Sequence, residues 1–371
     1  MPLPTPARPV AGLRLGLATA SALGITAVVA PAAAQTADDG LAVVASIKPV
    51  HSLVAGVTEE VATPALIVEG GGSPHAYTMR PSEARALDGA DVVFWVGPAL
   101  ETFLADPIET LAGDARIVAL QDAPGTRRLA LRDDAAFEAH DHGDDHGHEH
   151  GGEGEADHHT DEAADHGHDH GHDHGDEAEH DHGHEHAQDL GHDHGAEGGI
   201  DAHLWLDPAN ALSWVAAIVD TVSEADPANA SVYAENGAAL ARRLDALSAE
   251  MEATLAPVRD RPFLVFHDAY QYLETRFDLA VAGAVTLNPA APPGARRVAE
   301  IRERVQEVGV RCLFREPQFE PRIAEVVAEG ADVTIGVLDP LGADLEPGPD
   351  LYFDLMRRNA GALADCLAAT P

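Results

Sequence analysis

Short runs of β-branched and aliphatic residues recur along this chain, and stretches with helical spacing separate them. The first set is Leu41 to Ile47, Ala65 to Val68, Val92 to Val96 and Arg116 to Leu120. The second is Phe263 to Phe266, Ala280 to Val285, Arg311 to Phe314 and Val333 to Val337. Strand and helix in alternation imply parallel sheets with helical crossovers, and four strands in each half imply two similar lobes. The predicted fold class is therefore α/β, with two lobes that are each a four-stranded parallel sheet flanked by helices.

Between the two sets, residues 228–258 are rich in Ala, Leu, Glu and Arg. Leu240, Leu244, Leu247, Met251 and Leu255 recur there at helical spacing. The pattern predicts one long rigid helix of over about 40 Å, at 1.5 Å per residue, joining the lobes. Gly237 is the one position expected to soften it. The organisation this predicts is an N-terminal lobe over 35–227, a linking helix over 228–258 and a C-terminal lobe over 259–371.

Composition changes that picture in one place. Of the 22 histidines, 18 fall between His140 and His194, in units such as His166-Gly167-His168-Asp169-His170, with almost no large apolar side chain. Such a segment buries too little surface to offset its ordering entropy, so 140–194 is expected to be a disordered insert in the first lobe. No Lys or Arg occurs between Arg132 and Arg242, so much of the formal net charge of −40 is local to this region. That acidity argues against nucleic acid or an anionic membrane surface as a partner. At the start of the chain, Arg8 and Arg14 precede an uncharged stretch from Leu15 to Ala30 and the small residues Ala32-Ala33-Ala34. Residues 1–34 thus read as a secretory signal peptide, with the mature protein expected in the periplasm as a monomer. In an exported chain, the two cysteines Cys312 and Cys366 are expected to form a disulfide.

Four histidines remain: His51, His75, His203 and His267. His75 follows a predicted strand through the Gly70-Gly71-Gly72-Ser73-Pro74 loop. His267 directly follows another, with Asp268 placed to cap the next helix. His203 precedes Asp207-Pro208, a good N-cap followed by a good first helical residue. Ligands of open α/β sheets bind beyond the carboxyl ends of the strands, so these three imidazoles are expected to meet in the cleft between the lobes. Three neutral imidazoles suit Zn²⁺, whereas manganese is more often given carboxylates and copper(I) sulfur. Asp339 also follows a predicted strand and is a candidate fourth ligand, with an Asp-Pro turn residue as the plainer alternative. His51 begins an apolar helical stretch and is expected to pack or cap. The His-x-His units of the insert suit weak zinc sites, as an auxiliary collector or sensor.

The chain resembles the periplasmic zinc-binding proteins of bacterial high-affinity zinc ABC importers, a cluster that also includes manganese-binding lipoprotein adhesins. The matching stretches include Ala45-Ser46-Ile47-Lys48-Pro49-Val50-His51, Gly72-Ser73-Pro74-His75-Ala76-Tyr77, Asp201-Ala202-His203-Leu204-Trp205-Leu206-Asp207-Pro208, Phe266-His267-Asp268-Ala269-Tyr270 and Phe314-Arg315-Glu316-Pro317-Gln318-Phe319. The resemblance implies Zn²⁺ held between two lobes by His75, His203 and His267, a His-rich loop near the cleft, a disulfide in the second lobe, and an inner-membrane ABC zinc permease as partner. Some members carry a Glu immediately before the first of these histidines, where this chain has Pro74, so the resemblance leaves the fourth position to water or Asp339. The competing expectations are a manganese carrier of the same fold, a periplasmic zinc buffer and a zinc-dependent hydrolase. No H-E-x-x-H motif supports the last, and the chain is not expected to be an enzyme.

Overall fold

In the computed structural model, residues 40–132, 199–287, 289 and 293–369 are described. The expected signal peptide over 1–34 and the His-rich insert over 140–194 lie outside them. The first sheet is built from β1 (Val43–Ile47), β2 (Ala65–Val68), β3 (Val92–Trp95) and β4 (Arg116–Ala119), and the second from β5 (Phe263–His267), β6 (Val281–Thr286), β7 (Cys312–Arg315) and β8 (Thr334–Val337). Both are wholly parallel, in the orders β2-β1-β3-β4 and β6-β5-β7-β8. All eight strands coincide with the apolar runs, differing only by a residue or two at their ends. β1 and β5 are central and buried throughout, which is why they carry no polar alternation.

Helices α1 (Lys48–Val57), α2 (Pro81–Asp88) and α3 (Thr102–Leu111) serve as crossovers of the first sheet, and α6 (Gln271–Phe277), α7 (Ala295–Val308) and α8 (Arg322–Ala328) of the second. Between the sheets run α4 (Pro208–Ala225) and α5 (Ala230–Leu255), and α9 (Leu351–Ala368) closes the described chain. Asp207 caps α4 by accepting the Ala209 N–H at 2.9 Å, with Pro208 at the first helical position. The linking helix exists as expected, its ends continued by single 3-10 turns at Pro227–Asn229 and Ala256–Val258.

Two expectations are corrected here. Gly237 does not soften α5: a Cβ there would lie 2.4 Å from Val219 Cγ2, so the glycine lets α4 and α5 pack closely. Asp268 does not cap α6, which starts after Tyr270; its carboxylate instead meets the Arg132 guanidinium at 3.1 Å. With Tyr270 in the N-cap position, Asp268 lies two residues short of the place from which a side chain caps α6.

Helix α5 packs on α1, α4 and α9, so it touches both lobes along its length. One apolar core accordingly runs through both, from Ile47 and Phe94 through Trp214 and Tyr233 to Tyr352 and Leu363. A smaller cluster under α7 and α8, including Leu264, Ile301 and Leu313, closes the outer face of the second sheet. Cys312 on β7 is bonded to Cys366 on α9 across 54 residues, with Cα atoms 6.2 Å apart.

Candidate metal centre

Each of the three candidate imidazoles stands where a regular element stops. His75 lies in a 3-10 turn, Pro74–Ala76, reached from β2 by a loop that turns at Gly70 with φ +68°, a conformation open to glycine at no steric cost. His203 precedes the turn Leu204–Leu206 that leads into α4. His267 is the last residue of β5. His203 and His267 are buried, and His75 is half-buried.

These three are the described residues whose donor atoms gather within 4.8 Å of one another. His75 Nε2 lies 3.2 Å from His203 Nε2, and His267 Nε2 lies 3.1 Å from the same atom. The three Nε2 atoms are therefore gathered about one point. In a tetrahedral ion with Zn–N bonds of about 2.0–2.1 Å, neighbouring nitrogens are about 3.3–3.4 Å apart. The observed separations need to open by only a few tenths of an ångström to meet that geometry. A pair of neutral rings this close would share one proton at most, and burial together with the two neighbouring imidazoles lowers the His75 pKa to about 2. The ring is thereby kept neutral, the form in which an imidazole can ligate a metal.

The walls hold the rings in place. The Trp205 ring lies 5.4 Å from that of His203, and the Phe319 ring meets His267 edge-on at 5.6 Å. Trp205 Nε1 donates to the Pro340 carbonyl at 2.7 Å, and Tyr352 Oη donates to the Trp205 carbonyl at 2.8 Å, linking the His203 segment to the second lobe.

Asp339 stands outside this group. Its Oδ1 accepts from Gln318 Nε2 at 2.7 Å and from the Leu341 and Gly342 N–H groups at 3.0 Å, and its Oδ2 accepts the Ala343 N–H at 2.6 Å. The carboxylate organises the turn after β8, the plainer of the two roles open to it. Buried Lys48 holds that turn from the other side, donating at 2.9 Å to the carbonyls of Gly342, Ala343 and Leu345. His51 is buried in α1, with Nε2 against the Pro64 carbonyl at 3.0 Å, and belongs to the packing.

Reading residues one by one gave no role to Asp201 or Glu316, both of which touch the triad. Asp201 lies two positions before His203 and was detectable in principle as a local partner. Glu316, at the end of β7, is 49 residues from the His267 it contacts and leaves no local signal.

Residues 43–366 match the family model ZnuA, described as zinc-uptake complex component A, periplasmic. The chain is 49% identical over 326 residues to the high-affinity zinc uptake system protein ZnuA of Brucella suis, covering 88% of this chain and 91% of that one. It is 43% identical over 354 residues to the protein of the same name from Paracoccus denitrificans, covering 95% and 98%. Among solved structures, a crystal structure of ZnuA superposes with a TM-score of 0.64 at 18% identity, over 88% of this chain and 99% of that one, a likeness of fold. With a family match across nearly all the described residues and these two relatives beside it, the chain belongs to the ZnuA family of periplasmic zinc-uptake components.

Proposed function

We propose that this protein captures Zn²⁺ with the Nε2 atoms of His75, His203 and His267 and hands it, as cargo, to an inner-membrane ABC permease. The observation that carries the reading is the convergence of three Nε2 atoms at 3.1 and 3.2 Å, from three separate parts of the chain. A donor set of nitrogen alone favours zinc over manganese, which is better served by oxygen. Membership of a transport family argues against the hydrolase alternative. Water fills the fourth position in this reading, since all four hydrogen bonds of Asp339 would have to be rearranged to free it. The same proposal divides the chain into a signal peptide over 1–34, an N-terminal lobe over 35–227 with the insert at 140–194, a linking helix over 228–258 and a C-terminal lobe over 259–371. The insert acts as a low-affinity zinc collector or sensor, and the protein works as a monomer.

The test is a zinc titration of the full chain against a competing chelator. Excising 140–194 should remove several weak sites and leave one tight site. Replacing His75, His203 or His267 singly with Ala should weaken the tight site by roughly a thousandfold, about one ligand's share of the 10–16 kcal/mol typical of a structural zinc site. His51→Ala should leave it unchanged. Equal losses at all four histidines, or loss of the tight site with the insert, would overturn the proposal.

A further inference from the structure

Two of the three imidazoles share a construction that the third lacks. Asp201 Oδ1 accepts both the backbone N–H of His203, at 2.9 Å, and its ring Nδ1–H, at 2.8 Å. Glu316 Oε1 does the same for His267, taking the backbone N–H at 3.3 Å and Nδ1–H at 2.6 Å. The two carboxylates come from unrelated places, one from the segment before α4 and the other from the end of β7 in the second sheet. An ionised carboxylate only accepts, so each contact puts the ring proton on Nδ1 and leaves the Nε2 lone pair for the triad. Because one oxygen grips the ring and the backbone of the same residue, the side-chain torsions are held as well as the tautomer.

The charge points the same way. Asp201 and Glu316 are 2% and 1% exposed. Among the described residues neither pairs with a Lys or Arg; each meets its histidine, as the only ionisable partner within salt-bridge distance. Glu316 Oε2 is buried with no hydrogen-bond partner. Two buried negative charges beside neutral rings are costly unless a cation completes the arrangement. A divalent ion on the Nε2 side would be neutralised by them through the imidazoles while meeting nitrogen alone. Partners of this kind raise ligand basicity and fix ring orientation in metal sites generally.

We infer that Asp201 and Glu316 are the positioning residues of this site, holding His203 and His267 in the Nδ1–H tautomer and supplying the charge that balances the bound ion. The inference rests on the triad reading above. It is tested on the metal-free full chain by ¹⁵N NMR of the histidine rings, together with zinc titration against a chelator. In the wild type, His203 and His267 should give Nδ1–H signatures. Asp201→Ala and Glu316→Ala should disturb the tautomer of the paired ring and weaken tight zinc binding by about 10- to 100-fold each. The near-isosteric Glu316→Gln, which keeps an acceptor and loses the charge, should retain the His267 tautomer while still weakening zinc, and its metal-free unfolding curve checks that the fold survives. Unchanged affinity in all three variants, or weakened zinc with unaltered ring signatures in both alanine variants, would overturn the inference. A wild-type protein with no tight site, or one whose tight site survives alanine at the three histidines, would instead remove the triad reading itself.

Discussion

The two sheets have the same strand order but deliver their imidazoles differently. The first sheet offers His75 from a glycine-bearing loop beyond β2, half-buried, with its Nε2 3.2 Å from that of His203. The second offers His267 from the end of its central strand, 3% exposed and gripped by Glu316. A strand end inherits the rigidity of the sheet, whereas a loop inherits only what its own contacts provide. Equal topology therefore yields one candidate ligand built into the core and one set at its margin, with His203 held through Asp201 and Trp205.

The sharpest way to separate the lobes is the disulfide, which lies wholly in the second. Closing a loop of 54 residues is worth about 4 kcal/mol in the chain-entropy account. Replacing both Cys312 and Cys366 with Ala should lower the unfolding free energy in urea by about that amount; a loss below 1 kcal/mol would show that α9 is held to β7 by packing alone.

Next in size is a pH effect that the first lobe contributes through Glu101, alongside a like-signed one from Glu274 of α6, whose carboxyl burial also raises to about 7. Burial raises the Glu101 carboxyl from 4.5 to about 7, against the hydrogen bonds from Ser46 and from the Val96 and Gly97 N–H groups. The folded protein then keeps a proton that the unfolded chain releases above 4.5. Stability from this group is present in full below pH 4.5 and is lost as pH rises to 7, by roughly 3 kcal/mol at 1.4 kcal/mol per unit. Urea unfolding of the metal-free protein between pH 4.5 and 7.5 should show a slope in the wild type that is shallower in Glu101→Gln by this amount, the remainder coming from Glu274. Parallel curves for the two would assign the slope elsewhere.

The smallest effect tests the comparison itself. His267→Ala takes the ring donor from buried Glu316, leaving it the longer backbone N–H contact of residue 267, and should destabilise the metal-free protein by about 2 kcal/mol. His75→Ala, which strands no carboxylate, should change it by less than about 0.5 kcal/mol. Equal shifts in the two thermal unfolding curves would dissolve the distinction between core and margin.

Much of this was legible before any coordinates. The eight strands follow from apolar runs, the long helix from its leucine spacing, and the three candidate ligands from being the histidines left outside the repetitive insert at element ends. Asp339 shows where such reading stops. Position after a strand is open to a ligand and to a turn residue alike, and only the structure shows the four hydrogen bonds by which its carboxylate organises the turn. Gly237 looked like a weak point in a helix, and the nearness of Val219 made it a packing contact.

The sequence alone determined the elements and their order, because periodicity and punctuation are properties of neighbouring residues and act within a few positions. Tertiary structure decided which polar groups meet: that three imidazoles face one point, that Glu316 reaches His267 across 49 residues, and that Lys48 holds the turn at Gly342 across 294. Those pairings depend on how the sheets and α5 pack, and a side chain's partner at such separations is set by burial and charge in three dimensions rather than by any local pattern.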